Sequence, residues 1–267
     1  EYYVGKDYSL GGITLLCRFD GQRVTMASQM SEADETVSSL YSVKSEQATM
    51  LSFDTYNYLV HYFGQPQGSM SDDPNGTLGG DYEFIISSAS AERIELKGKK
   101  YGNRIVMKAL TEDQTWKQYL TKIKKVEDDA FFYEYDLLMD GLYTGQMIRS
   151  NYTFIVTYYD EIGKVHQKTV PFMFTADGLR FHEPVTIDGQ TMQNFVWKNE
   201  LISFVCTDEG ATGVKLAGVY TAGYQSYDYY PGTYQMDFYR LNDETGQLEV
   251  ASQEVRLLKN EDGKSYW

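Results

Sequence analysis

Cysteine is scarce in these 267 residues: there are two, Cys17 and Cys206, each inside an apolar run. Two thiols make no disulfide framework. They read as small buried hydrophobes, with a single bridge between them left open for an exported chain. Histidine is nearly as rare, with His61, His166 and His182 alone. A transition-metal site draws three or four ligands from His, Cys and carboxylates, often closely spaced. No His-x-x-x-His or Cys-x-x-Cys pair occurs, so neither a metal nor another cofactor is expected. His61, within Leu59-Val60-His61-Tyr62-Phe63, reads as a hydrogen-bonded packing residue. A Gly-x-Ser-x-Gly elbow, a P-loop and a dinucleotide glycine pattern are missing too, and no catalytic residue is assigned. No apolar run reaches the roughly 18 residues that span a bilayer as a helix. Basic residues are the minority: 24 Lys and Arg face 38 Asp and Glu, a formal net charge of −14. Such a chain repels phosphate backbones and anionic lipid, so nucleic acid is excluded as an expected partner.

What the chain has in excess is aromatic. Against five prolines stand 24 tyrosines and 13 phenylalanines, in a globular composition of 42% hydrophobic and 23% charged residues. Aromatic and β-branched side chains suit a half-buried pleated surface. Ile13, Leu15, Cys17 and Phe19 alternate with Thr14, Leu16 and Arg18, a strand by its period of two. Asp20-Gly21 then turns into Arg23–Ala27. Further strands are read at Tyr41–Lys44, Thr49–Phe53, Tyr82–Ile86, Arg93–Lys97 and Arg104–Lys108, while Tyr56–Phe63 suits either period. Beyond residue 150, hairpins are read around Asp160–Gly163, Asp177-Gly178 and Asp243–Gly246.

One helix interrupts this pattern. Thr111-Glu112-Asp113-Gln114 has the form of a capping box, and Trp116, Tyr119, Leu120 and Ile123 recur at helical spacing. Lys122, Lys124 and Lys125 complement the far end of the dipole, which predicts a helix over 112–125. Alternation over Ala130–Met139 favours a strand next. The expected fold is mainly β (α+β): antiparallel sheets in two tandem barrel- or sandwich-like units joined by one amphipathic helix. Residues 1–110 form the first unit, and 111–267 carry the helix and the second. The strand–turn–strand grammar of 14–24 recurs at 153–165, which raises a duplication against the plain alternative of a meandering chain.

Three segments invite chemistry. Lys97-Gly98-Lys99-Lys100-Tyr101-Gly102-Asn103 is basic and glycine-containing, either an anion loop or a solvated hairpin tip. The segment 71–81 offers Asp72, Asp73, Asn75 and Asp81 as calcium-type oxygens without a known loop spacing, and otherwise reads as a surface loop. Tyr224, Tyr227, Tyr229, Tyr230 and Tyr234 crowd a Gly/Pro-punctuated stretch. Tyrosine joins an apolar face to a polar tip, so these five are the candidate ligand-binding residues, with self-packing of a Tyr-rich strand pair as the alternative.

Several strings together resemble a Bacteroidetes-type lipoprotein family catalogued as domain of unknown function 4302. They are Gly11-Gly12, Leu51-Ser52-Phe53-Asp54-Thr55-Tyr56-Asn57, His61-Tyr62-Phe63, Gly79-Gly80-Asp81-Tyr82-Glu83-Phe84 and Leu96-Lys97-Gly98-Lys99-Lys100-Tyr101-Gly102-Asn103. The resemblance covers residues 1 to about 110 closely and the rest more loosely. It implies an exported protein, a lipid anchor upstream of Glu1, a helical lead-in before it, and neighbouring outer-membrane importers as partners. Glu1-Tyr2-Tyr3-Val4, opening on strand-like residues, fits a chain whose leader has been removed. The resulting expectation is a non-catalytic surface module binding a glycan or peptide for nutrient capture. Two alternatives stand beside it: a barrel-like carrier of a small apolar ligand, and a carboxylate-dependent glycoside hydrolase.

Overall fold

The run around Cys17 that reads as one strand is two. Gly11–Ile13 and Leu15–Asp20 belong to different edges of one sheet, and the chain changes edge at Thr14. Side chains replace the ladder there: the Thr14 N–H donates to Gln29 Oε1 (3.0 Å) and the Ser28 hydroxyl donates to the Thr14 carbonyl (2.9 Å). The expected hairpin then forms, with Asp20 opposite Arg23 and Gly21-Gln22 as its loop.

The structure is a computed structural model. It describes residues 1–267 other than 46–47, 67–75, 111–113, 161, 221–231, 242–247, 260–264 and 267. The strands of the first sheet are β1 (Tyr2–Val4), β2 (Gly11–Ile13), β3 (Leu15–Asp20), β4 (Arg23–Ser28), β5 (Val37–Ser45), β6 (Thr49–Phe53), β7 (Glu83–Ala89), β8 (Arg93–Gly98) and β9 (Arg104–Lys108). A short helix, α1 (Tyr58–His61), lies between β6 and β7, and α2 (Trp116–Asp129) follows β9. The second set is β10 (Glu134–Met139), β11 (Leu142–Ser150), β12 (Thr153–Tyr159), β13 (Val165–Phe174), β14 (Gly178–Ile187), β15 (Gln190–Lys198), β16 (Ser203–Cys206) and β17 (Val214–Val219). Last come β18 (Gly232–Leu241), β19 (Leu248–Lys259) and β20 (Ser265–Tyr266).

The first nine strands make one nearly closed antiparallel sheet in the order β2-β1-β9-β8-β7-β6-β5-β4-β3. Strands β10 to β17 close into an eight-stranded barrel. Both belong to one compact unit, Glu1–Gly218, and Val219–Trp267 forms another with its own three-stranded sheet. The boundary expected at residue 110 therefore falls between two barrels of a single unit. The paired hairpins of the suspected repeat are β3–β4, at an edge of the open sheet, and β12–β13, inside the closed barrel.

Both interiors are filled by side chains. Val24, Met26, Leu59, Val60 and Phe84 are fully enclosed in the first sheet. Phe154 and Phe172 stack at 4.3 Å in the closed barrel, with Tyr135 against Phe154 and Phe204 against Tyr135 and Phe174. Burying each such side chain stabilises by about 1.5–3 kcal/mol. Gly11 lies where the barrels touch: its φ is +72°, and a Cβ there would run into the Tyr152 carbonyl.

The predicted helix exists with a different start. Thr115, not Thr111, is the N-cap: its hydroxyl accepts from the Gln118 N–H and Gln118 answers to the Thr115 N–H. Thr-x-x-Gln occurs twice in tandem, and the helix begins at the second copy and runs a turn past the lysines to Asp129. Residues 111–113 of the first copy lie outside the described residues. α2 buries Leu120, Ile123 and Val126 and bonds to both barrels, through Lys124 to the Ser31 carbonyl (2.8 Å) and Glu127 to the Tyr152 hydroxyl (2.8 Å).

Candidate functional site

The ambiguous segment 56–63 resolves into a helical turn because Asn57 caps it. Its side-chain oxygen accepts from the Leu59 N–H (3.1 Å), and its amide donates to Ser39 Oγ (3.2 Å) from a fully buried position. This cap sends Leu59 and Val60 into the core and leaves Tyr56 and His61 on the outside. The Asn57 N–H lies 3.1 Å from His61 Nδ1. The same nitrogen lies 3.0 Å from the Asn57 carbonyl, so it accepts from the N–H or donates to the carbonyl according to its tautomer.

The second wall comes from Asp81. Its carboxylate is 3% exposed and accepts from the N–H groups of Lys100 (2.7 Å), Tyr101 (3.1 Å) and Asn103 (3.1 Å). The basic glycine loop is thus an anion loop whose anion is internal. Gly98 is required for it, since a Cβ would collide with the Asp81 carboxylate. Asn103 locks the arrangement by accepting from the Asp81 N–H (3.1 Å) and donating to the Gly79 carbonyl (2.9 Å). Of the calcium-type oxygens, Asp81 is consumed here, and Asp72, Asp73 and Asn75 lie outside the described residues.

Next to this latch, Tyr82 is turned outward while Phe84 is buried. Its ring stacks on His61 with centroids 5.0 Å apart and planes 16° off parallel. Tyr56 continues the row at 5.5 Å from His61 and braces its hydroxyl on Gln65 (3.3 Å). Tyr56 is 62% exposed and Tyr82 47%. The Lys100 ammonium lies 4.6 Å from the Tyr101 ring and within electrostatic reach of Tyr82. Hydrogen bonding to Lys100 holds the Tyr101 phenol below its usual range. The result is a row of flat apolar faces with polar edges, positioned by two buried hydrogen-bonded anchors.

Of the five tyrosines read as ligand-binding from sequence, Tyr234 alone is among the described residues. Tyr224, Tyr227, Tyr229 and Tyr230 lie outside the described residues. Tyr234 is on β18 opposite Val255. Tyr56 and Tyr82 escaped the sequence reading because neither stands in a stretch as rich in tyrosine as 224–234; the clue was their nearness to His61 and to Asp81 in two distinctive strings.

A separate cleft of about 550 Å³ opens at the seam of the first sheet, lined from β3, β8, β9 and α2. Leu15, Cys17, Ile94, Met107, Trp116 and Tyr119 line it. It lies beside the packed interiors, not inside the closed barrel. Among the described residues no group of three His, Cys, Asp or Glu side chains gathers as a metal site. Both cysteines are free thiols; burial pushes Cys17 up to about 12 and Cys206 up to about 11.

Residues 1–199 match the family model described as Domain of unknown function (DUF4302). Residues 207–267 match a second model, also described as Domain of unknown function. No curated protein and no solved structure matches the chain.

Proposed function

Since the chain belongs to the family described as Domain of unknown function (DUF4302), we propose that it is a non-catalytic, exported surface module that captures glycans by stacking sugar rings on Tyr56, His61 and Tyr82. The exposed Tyr82 ring stacked on His61, with the exposed Tyr56 ring tilted against the same imidazole, carries this reading. A folding core gains nothing from leaving Tyr56 at 62% exposure, whereas a sugar ring needs such a face. Rigid anchors also keep the ordering cost of binding low, because Asn57 and Asp81 fix the backbone before a ligand arrives. In the same proposal a lipid anchor upstream of Glu1 holds the module at the outer membrane beside an importer. Peptide capture by the same rings is the variant in which aromatic or basic side chains replace sugars. A glycan and peptide array probed with the wild type and with Tyr56→Ala/Tyr82→Ala is the test. Selective glycan signals lost in the double variant support the proposal; equal signals from both proteins would refute it.

The apolar-carrier reading draws support from the seam cleft, whose size falls in the range of small-ligand sites. Displacement of an environment-sensitive apolar dye, abolished by Leu15→Trp, would favour it. The hydrolase reading has one pair to recommend it: burial, then the neighbouring Glu134, raises the Asp136 carboxyl. If polysaccharide turnover appeared and Asp136→Asn removed it, the non-catalytic assignment would fall.

A further inference from the structure

β14 loses its register with β15 between Arg180 and Val185, and this irregularity re-aims two side chains. Phe181 stays inside the closed barrel, 1% exposed. His182 leaves it and wedges between the Tyr3 and Tyr8 rings of the first barrel, 4.3 Å from each. Gln193 fills the broken ladder by donating to the Phe181 carbonyl (3.2 Å). The imidazole side chain is 6% exposed, and its Nδ1 has no hydrogen-bond partner among the described residues. Beside it opens a cleft of about 570 Å³ lined by Tyr8, Arg104, Arg180, His182, Glu183 and Gln193.

We propose that this cleft binds a carboxylate monoanion, held by Arg104 and Arg180 against the Tyr8–His182 wall. Each guanidinium carries five N–H donors, and among the described residues little of that capacity is taken. Arg180 gives one nitrogen to Glu1 (2.7 Å), and Arg104 stands 3.7 Å from Glu95. Neither acid lines the cleft. The single lining acid, Glu183, is 81% exposed and 4.0 Å from His182 Nε2, so it flanks the opening without filling it. Planar guanidinium forks match a carboxylate in two-point geometry. The protein's charge of −14, and the Glu1 and Glu95 carboxylates behind the arginines, oppose a second negative charge. A monoanion therefore fits and a phosphate dianion does not. The site uses none of the residues of the Tyr56–His61–Tyr82 row and does not rest on the glycan reading.

The test is a titration of isotope-labelled protein at neutral pH and fixed ionic strength. Sodium glucuronate, sodium acetate, glucose and inorganic phosphate are the probes, and the His182 ring and Gln193 amide resonances are the readout. Saturable shifts with a carboxylate and none with glucose are expected. Acetate acting alone marks a free small acid as sufficient, and glucuronate acting alone marks an acidic sugar. Arg104→Gln is expected to weaken binding by about tenfold or more, since each charge-assisted bond is worth about that factor. Arg104→Lys keeps the charge but loses the fork, and is expected to weaken it as well. No saturation with either carboxylate, glucose acting as well as glucuronate, or phosphate binding more tightly than both would overturn the proposal. So would unchanged affinity in the folded arginine variants.

Discussion

At the scale of single residues, buried polar groups decide the outcome. Asp81, almost fully buried, closes a nest of three N–H groups. Asp81→Asn puts an amide donor where only acceptors are wanted, and is expected to destabilise the unit by about 2–3 kcal/mol. Chemical denaturation of the variant checks this. His182 sets a pH dependence of a defined sign. Burial, followed by the neighbouring Arg104, lowers its folded pKa from 6.5. The unfolded chain then binds a proton that the folded chain refuses, so stability is full above 6.5 and falls as pH drops below it. Melting curves across that window are expected to flatten in His182→Gln. The thiols make a third case. Raised by burial to about 12 and about 11, Cys17 and Cys206 are expected to resist alkylation at mildly alkaline pH until the chain is denatured.

At the scale of elements, the alternation of apolar residues located most strands, since that period is a direct imprint of a two-faced sheet. The hairpins at 20–23, 98–104 and 174–178 were legible because turn residues stood between two such runs. What misled the reading was redundancy. Two Thr-x-x-Gln patterns lie in tandem before α2, and only the packing of Leu120, Ile123 and Val126 selects Thr115. Thr115→Ala is accordingly expected to cost about 1 kcal/mol in thermal or chemical unfolding. The strand through Thr14 was overread for another reason: periodicity does not register that a chain has moved from one edge of a sheet to the other. Tyr56–Phe63 stayed ambiguous because its helical turn is four residues long and depends on Asn57, whose oxygen caps it while its amide donates across to Ser39.

At the scale of the whole molecule, two tandem barrel-like units with a helix between them were readable in the sequence. The candidate site was not. Tyr56 and Tyr82 are 26 positions apart and meet through His61, a contact that no local pattern encodes. Tyrosine density pointed instead to 220–239, a segment of which residues 221–231 lie outside the described residues. The two barrels share one unit through Gly11, Tyr3 and α2, so the rings and the arginine cleft stand on a single scaffold.

Calorimetric titration of an array-positive oligosaccharide into the wild type and into Tyr56→Ala/Tyr82→Ala tests the central claim most directly. The stacking account predicts at least about a tenfold loss of affinity in the double variant, with its melting temperature unchanged. Equal affinity in the two proteins would contradict it.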